Sequence, residues 1–266
     1  MVDDMEHKKW DEMLAPYNNA VEELKVKFKN IRKEFLSNGG SSPIEFVTGR
    51  TKTITSIQTK AKNLGVTDIE NEIEDIAGIR IMCQFVGDID TIIKLIKNRS
   101  DMNVIYEKDY VENFKDSGYR SYHVIIKYPI NTIAGSKEIL CEIQIRTLAM
   151  NFWATIEHSL KYKYEHYIPE DIAVRLRKAS DVAFLLDQEM SDIRDEIIKS
   201  QKMYKLKLVT LKDLQNKVEQ LNEIDKDKLI MYRDKLSNLN VESDITKMLQ
   251  LKKEIDELLQ IHRHSE

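Results

Sequence analysis

The chain has 266 residues, of which 42% are hydrophobic and 32% are charged, and this length suits one substantial domain with an appendage or two small domains. With 41 Lys and Arg against 45 Asp and Glu, the net charge is −4, so no overall cationic field favours nonspecific binding to duplex nucleic acid, while a local basic pocket is compatible with this balance. The N-terminus has no signal-peptide pattern, and no run of about 18 apolar residues could span a bilayer, so we expect a cytoplasmic protein.

The first 35 residues carry one apolar stripe, which predicts an amphipathic helix. We expect its regular part to begin at Pro16, because proline is tolerated in the first turn of a helix. The segment 38–43, rich in Gly and Ser, should end it. The stripe recurs at spacings of three and four and consists of Trp10, Leu14, Tyr17, Val21, Leu24, Phe28, Ile31 and Phe35.

A second helix is predicted over residues 48–64, a strand over 78–86, and a third helix capped by Asp88. Two more strands are predicted over 122–128 and 138–146. The inward residues of the two helices are expected to be Ile54, Ile57, Ala61 and Leu64, and then Ile89, Ile92, Ile93 and Ile96. The last two strands are joined by a loop with Ala134, Gly135 and Ser136, and a helix follows over 148–163.

These elements predict an α/β (α+β) fold, in which a mixed sheet of about five strands is flanked by helices, with further helices at both ends of the chain. From residue 169 onward the sequence is helical and highly charged. We expect a domain over 1–200 and a helical-hairpin or coiled-coil extension over 201–266. A solvated helical tail explains the same pattern equally well. Two short apolar stripes support the extension, with a break at 238–240 between them: Leu211, Leu214, Val218 and Leu221, then Met248, Leu251, Ile255 and Leu258.

Cys83 and Cys141 both lie in apolar, strand-like segments, so we expect two buried free thiols rather than a disulfide or a metal pair. The sequence also lacks a Walker-A glycine loop, a GxGxxG after a strand, a GxSxG and a zinc-spaced set of Cys and His. Several common nucleotide-binding and hydrolytic chemistries are therefore not predicted.

Lys52, Ser56 and Lys60 are spaced so that one helix would present all three on one face. Two ammonium groups and a hydroxyl beside a helix start would suit a polyphosphate. A solvated lysine face opposite the apolar stripe is the competing interpretation, and spacing alone favours it.

Carboxylates and hydrogen-bonding groups also lie within strands that should be buried. Asp75 directly precedes the strand that contains Arg80, and a buried arginine needs a carboxylate, a phosphate or a stacking partner. In the strand 138–146, alternation puts Glu142, Gln144 and Arg146 on one sheet face. Asp75 and Glu142 form a minimal Mg²⁺ site, because this ion takes one or two carboxylates and fills its shell with phosphate and water.

Four ordered sequence blocks together resemble the synthetase domain of the RelA/SpoT superfamily, most closely its small alarmone synthetases of the RelQ type. The resemblance covers about residues 10–200, and it implies a nucleotidyltransferase-like fold. The blocks are SPIEFVTGR at 42–50, DIAGIRIMCQF at 75–85, SGYRSYH at 117–123 and EIQIRTLAMNFWATIEHSL at 142–160.

The resemblance implies Mg²⁺-dependent transfer of pyrophosphate from ATP to the 3′-hydroxyl of GDP or GTP, giving (p)ppGpp and AMP. Asp75 would ligate the metal, and Glu142 would approach the metal and act as general base. By the same resemblance, the ATP-binding residues would be Arg50, Lys52, Ser56, Lys60 and Arg80. The acceptor nucleotide would meet Lys115, Tyr119, His123, Gln144 and Arg146.

The resemblance also implies a homotetramer, with an alarmone-binding cleft that Lys29, Phe46 and Asn151 would line, and it raises single-stranded RNA as a further partner. No His in the chain is followed by Asp, whereas bifunctional relatives carry that pair in a hydrolase domain, so we expect synthesis without hydrolysis. Two alternatives stay open at this point. They are another nucleotidyltransferase-like transferase that uses the same carboxylates, and a degenerate module that binds alarmone or RNA.

Overall fold

The structure is a computed structural model that describes residues 2–133, 135–163, 169–221 and 225–263, without the side chains of 2–8, 162, 262 and 263. The chain divides into two compact units, Met1–Ser191 and Asp192–Glu266, which we call unit 1 and unit 2. Ala134 of the predicted loop lies outside the described residues. Within the described part of the chain, none of the helices has the length and apolar character needed to cross a membrane.

Unit 1 contains a five-stranded mixed sheet with helices, as the sequence predicted. Its helices are α1 (Val2–Ser37), α2 (Ile54–Leu64), α3 (Ile69–Glu72), α4 (Val86–Lys97), α5 (Leu148–Lys163) and the first part of α6 (Glu170–Gln220). Its strands are β1 (Phe46–Thr51), β2 (Ala77–Cys83), β3 (Asn103–Asp109), β4 (Tyr122–Thr132) and β5 (Gly135–Thr147).

The strand order is β1-β2-β5-β4-β3, and every neighbouring pair is antiparallel except β2 with β5. Alternation along β5 buries Ile139, Cys141, Ile143 and Ile145 on one face of the sheet. Since successive side chains point to opposite faces, the polar residues of β5 share the other face. The prediction for this strand is confirmed.

The helix α1 packs its apolar stripe into the core of unit 1. Tyr17, Leu24 and Phe28 are almost fully buried, and Trp10 and Phe35 at the two ends of the stripe are partly buried against the same core. Pro16 lies inside this helix, so the predicted start at that residue is wrong. The apolar contacts on both sides of Pro16 explain how the helix tolerates a proline that removes one backbone hydrogen bond.

The predicted helix over 48–64 is wrong over its first six residues, because residues 46–51 form the edge strand β1 and the helix begins only at Ile54. Ile57 and Ala61 are buried as expected, whereas Leu64 is 58% exposed. Thr53 is the N-cap, and its side chain accepts a hydrogen bond from the backbone of Ser56. Lys52 therefore lies before the helix, so it does not share a helical face with Ser56 and Lys60.

Two further predictions around the sheet need correction. The strand predicted over 78–86 ends at Cys83, and Phe85 rather than Asp88 is the N-cap of α4. Asp88 instead accepts a hydrogen bond from the backbone N–H of Phe85, 3.2 Å away. The strand β3 was not predicted, since its sequence NVIYEKD is half polar and only partly buried.

Unit 2 has a small hydrophobic core of its own, built from the end of α6, α7 (Lys226–Ser237) and α8 (Ile245–Arg263). Both predicted stripes contribute to it, and the break at 238–240 falls between α7 and α8. The side chains at the centre of this core are Leu214, Val218, Leu221, Met248 and Ile255, all of which are 1% exposed or less.

Candidate active site

Strand register places the predicted site residues in two rows across the polar face of the sheet. In the first row Arg50 on β1 pairs with Gly78 on β2, and Gly78 pairs with Glu142 on β5. In the second row, Arg80 on β2 pairs with Gln144 on β5. Gln144 in turn pairs with His123 on β4. Residues that are far apart in the sequence therefore become neighbours on one surface.

A cleft of about 260 Å³ opens over these rows. Gly49 forms part of its wall, and a Cβ built at this position would lie 2.8 Å from Ile79 Cδ1 and 3.0 Å from Val21 Cγ1. Glycine thus lets β1 approach the core closely, because a larger residue would force these side chains to shift. The cleft is lined by Thr48, Gly49, Arg50, Lys52, Asp75, Gly78, Ile79, Arg80, Glu142 and Gln144.

Two lysines converge on Asp75 at one end of the cleft. Lys52 Nζ lies 2.6 Å from Asp75 Oδ2, and Lys60 Nζ lies 2.8 Å from Oδ1. Burial alone would raise the pKa of Asp75, but the hydrogen bonds and charges of the two lysines outweigh it and hold the pKa below its usual value. The Asp75 carboxylate therefore stays ionised and holds the two ammonium groups close together. A polyphosphate could take the place of this carboxylate as their anionic partner.

Glu142 lines the cleft with both carboxylate oxygens engaged. Its Oε1 is 2.9 Å from His123 Nδ1, and its Oε2 accepts a hydrogen bond of 2.7 Å from Gln144 Nε2. Burial raises the pKa of Glu142, yet the contacts with His123 and Gln144 lower it further than burial raises it. The Glu142 carboxylate is therefore ionised and fixed in position. Such a group can accept a proton or bind a cation.

An aromatic and cationic cluster continues from His123 away from the cleft. The hydroxyl of Tyr119 lies 2.9 Å from His123 Nε2, and Arg146 donates a hydrogen bond to the same hydroxyl. The ammonium group of Lys115 lies 4.7 Å from the ring centre of Tyr110 and 5.1 Å from that of Tyr119. All of these cations and rings suit a planar base with attached phosphates.

The remaining residues predicted to meet ATP are less engaged. Arg80 is half-buried, donates a 3.4 Å hydrogen bond to Gln144 Oε1, and has its pKa lowered by burial and by the charge of Arg146. Arg50 is exposed at the cleft wall, and Ser56 is exposed in the first turn of α2, where Thr53 Oγ1 donates to its hydroxyl. Lys52 and Lys60 meet at Asp75 although only Lys60 is helical.

The three residues predicted for a second ligand lie on different elements. Lys29 is exposed on α1, and Phe46 is 42% exposed at the start of β1. The side-chain oxygen of Asn151 on α5 is buried and has no hydrogen-bond partner in the described part of the chain. Such an orphaned acceptor is costly and calls for a ligand or water.

Tyr110 and Arg120 also belong to this region, and sequence reasoning missed the role of both. Tyr110 makes edge-on contacts with Tyr119 and His123, at ring-centre distances of 6.2 Å and 5.2 Å. There was little indication in the sequence of a role for Tyr110, because this residue lies outside the four blocks that resemble the RelA/SpoT synthetase domain. Arg120 lies inside one block, and its guanidinium contacts the ring of Phe184 on α6.

The sequence and fold match known proteins over most of the chain. Residues 49–167 match the family described as "Region found in RelA / SpoT proteins". The chain is 52% identical over 205 residues to the GTP pyrophosphokinase YjbM of Bacillus subtilis (strain 168), covering 97% of that protein and 76% of this chain. About a quarter of this chain thus has no counterpart in that relative.

Two solved structures from Bacillus subtilis resemble the chain closely. One is the small alarmone synthetase 1 bound to its product pppGpp, with a TM-score of 0.69 and 53% identity over 71% of this chain and 98% of that one. The other is the same synthetase bound to AMPCPP, with a TM-score of 0.65 and 49% identity over 72% and 99%. The chain therefore belongs to the RelA/SpoT family, and its relatives within that family are small alarmone synthetases.

Proposed function

We propose that the chain is a GTP pyrophosphokinase, which transfers the β,γ-pyrophosphoryl group of ATP to the 3′-hydroxyl of GDP or GTP and gives ppGpp or pppGpp with AMP. The observation that carries this proposal is the convergence of Asp75 and Glu142 on one cleft, each held in ionised form by cationic or donor groups. The relatives named as GTP pyrophosphokinases support it.

In this mechanism Glu142 accepts the proton of the 3′-hydroxyl as the oxygen forms a bond to the β-phosphorus. The bond between that phosphorus and the oxygen bridging to the α-phosphate breaks, and AMP leaves with the bridging oxygen. His123 and Gln144 fix both oxygens of Glu142, so the base needs no reorientation when the acceptor binds. Its lowered pKa keeps it ready at neutral pH.

The ATP side of the site would be formed by Arg50 and Arg80 around the adenine, with Lys52, Ser56 and Lys60 on the phosphates. The two lysines that now pair with Asp75 are cationic clamps for the charge that develops during transfer. On the other side, Tyr119 would stack on the guanine, with Lys115, His123, Gln144 and Arg146 around the acceptor.

A divalent metal, which we propose to be Mg²⁺, would be held by Asp75 and Glu142. Two carboxylates in one cleft fit this ion, because phosphate oxygens and water complete its shell. The described residues contain no cluster of three or more Asp, Glu, His or Cys that could bind a metal without such help. When bound, the ion would neutralise phosphate charge.

The experiment that tests the function is incubation of the purified chain with labelled ATP, GDP and Mg²⁺, followed by separation of the nucleotides. We expect a 3′-pyrophosphorylated product and AMP. Glu142→Gln should lower kcat by about 10²–10⁴-fold. Glu138→Gln is the matched control, because Glu138 is an exposed residue on the same face of β5 four positions earlier. No product from the wild type would favour the degenerate binding module.

We further propose a homotetramer in which Lys29, Phe46 and Asn151 line a cleft for (p)ppGpp. The orphaned oxygen of Asn151 and the exposed ring of Phe46 support a ligand here. The stripe of α1 is buried within unit 1, so any subunit contact of that helix must use its other face. Calorimetric titration with pppGpp should show weaker binding to Phe46→Ala than to the wild type. Mass photometry of the chain and of a truncation at residue 201 would give the assembly.

Synthesis without hydrolysis and binding of single-stranded RNA complete the proposal. The chain lacks the His-Asp pair of the hydrolase domain. Breakdown of labelled ppGpp by the pure protein with Mn²⁺ would contradict the first statement. A titration of the protein into labelled single-stranded RNA that shows no binding would contradict the second.

A further inference from the structure

The segment between β3 and β4, residues 110–121, carries Lys115 and Tyr119, and we call it the acceptor loop. Arg120 of this loop is 7% exposed, and its guanidinium lies over two aromatic rings. The distances from its central carbon to the ring centres are 3.9 Å for Phe114, which is also in the loop, and 4.2 Å for Phe184 on α6. The loop is thus joined to α6 through a cation that contacts one ring of the loop and one ring of the helix.

Hydrogen bonds fix the same guanidinium at its edges. One terminal nitrogen donates to the backbone oxygen of Val111 at 2.9 Å, and the other donates to Asp181 on α6 at 3.1 Å. The Nε of Arg120 is buried without a hydrogen-bond partner among the described residues. Leaving one donor unpaired is costly, so the stacking and the two edge bonds must hold the group in place.

A second contact holds the turn that leads into Tyr119. Gly118 has a φ of +91°, its backbone oxygen accepts a hydrogen bond from the Ser180 hydroxyl on α6, and a Cβ at Gly118 would lie 2.9 Å from Ser180 Cβ. The backbone of Lys115 donates to Tyr119 O at 3.2 Å, which closes the turn. The two proposed guanine-nucleotide residues are therefore positioned by a loop that rests on α6.

We propose that Arg120, Phe184 and Ser180 are positioning residues that preorganise the acceptor loop and so determine affinity for the guanine nucleotide, but not for ATP. This inference rests on the proposed function. None of the three lines the cleft between Asp75 and Glu142. A loop that must be ordered on binding costs affinity, and a loop already fixed avoids that cost. The acceptor side should therefore respond to changes at α6 while the ATP side does not.

The test uses Arg120→Lys, which keeps the charge but loses the planar guanidinium over the two rings, and Phe184→Leu, which keeps the apolar volume. Ser180→Ala removes only the hydrogen bond to the turn. We expect each of the first two variants to raise KM for GDP about tenfold with a smaller change in kcat, and Ser180→Ala to raise it less. KM for ATP and the affinity for AMPCPP by calorimetry should stay within about twofold of the wild type.

Leu185→Ala is the matched control, because Leu185 follows Phe184 on α6 and is 62% exposed. An equal rise of both KM values, or a lower melting temperature with unchanged KM for GDP, would overturn the inference. If the wild type forms no pyrophosphorylated product, the proposed function fails first. Direct titration with GDP then decides the inference separately, since equal affinity of wild type and Arg120→Lys, or no binding by either, would overturn it.

Discussion

Nδ1 of His123 and Oε1 of Glu142 lie 2.9 Å apart on the neighbouring strands β4 and β5. The contact lowers the pKa of Glu142 against the opposing effect of burial. A carboxylate held this way stays ionised as the pH falls below neutrality. The imidazole therefore helps to keep the proposed base ionised at acidic pH.

His123→Ala should shift the acidic limb of the kcat/KM profile for ATP, measured at saturating GDP, toward higher pH. Without the imidazole, burial is the largest remaining influence and raises the pKa of Glu142, so the base becomes protonated at a higher pH. His158→Ala is the control, because His158 is exposed on α5. Superimposable profiles for wild type and His123→Ala would contradict this reading.

Lys52→Ala and Lys60→Ala should each raise KM for ATP about tenfold or more, because each removes a cation that we propose binds the ATP phosphates. KM for GDP should change little, since both lysines lie at the Asp75 end of the cleft. Lys62→Ala serves as control on the same helix, where Lys62 is exposed. Initial rates with each nucleotide varied in turn provide the measurement. Equal losses for Lys62→Ala would show that the effect is only one of overall charge.

Asp187 on α6 should make unit 1 less stable as the pH rises. Burial raises the pKa of Asp187 to about 6, although its hydrogen bond from Thr147 opposes this. A carboxyl with a raised folded-state pKa contributes its full stability below its unfolded value of about 4, and this contribution is lost as the pH rises through about 6.

Between pH 4 and pH 8 the wild type should therefore lose about 2–3 kcal/mol of unfolding free energy relative to Asp187→Asn. Comparing the two proteins across pH cancels any fixed cost of the buried amide. Denaturant unfolding at several pH values provides the measurement, with Asp192→Asn as the exposed control on the same helix. Parallel stability curves for wild type and Asp187→Asn would disprove the assignment.

Ile255→Ala should destabilise unit 2 by about 2–5 kcal/mol, because Ile255 is fully buried in its core and truncation leaves a cavity. Hydrogen exchange of the amides in α7 and α8 would show the loss as faster exchange. Ile261→Ala, on the same helix but 66% exposed, should leave exchange unchanged. Equal protection in both variants would mean that these helices do not share a packed core.

Patterns with a strong period gave the right elements from sequence alone. The stripe of α1 and the alternation in β5 are each fixed by burial on one side, so the apolar spacing reports the structure directly. The edge strand β1 was lost because Thr48 and Arg50 face the site and break the apolar pattern, and the following Thr-rich segment mimics a helix start. Polar residues that line the cleft thus hid the strand pattern of β1 in the sequence.

Several residues that the sequence singled out line one candidate cleft, but their contacts were not predicted. Lys52 was assigned for the wrong geometric reason, since it converges with Lys60 through a turn rather than along a helix. The support of the acceptor loop by Phe184 could not be predicted, because a residue 64 positions after Arg120 carries no local signal of that contact. Pairing across long sequence separations is what periodicity cannot reveal.

The parallel pairing of β2 with β5 brings together residues 64 positions apart, as in the contact of Arg80 with Gln144. The hairpin of β4 and β5 joins residues much closer in sequence, so its loop-closure entropy is smaller. Residues of both β2 and β5 line the cleft, so neither the pair β1-β2 nor the group β5-β4-β3 can form it alone. A refolding chain should consequently form most of its strands before it can bind ATP, so nucleotide binding should appear late in folding.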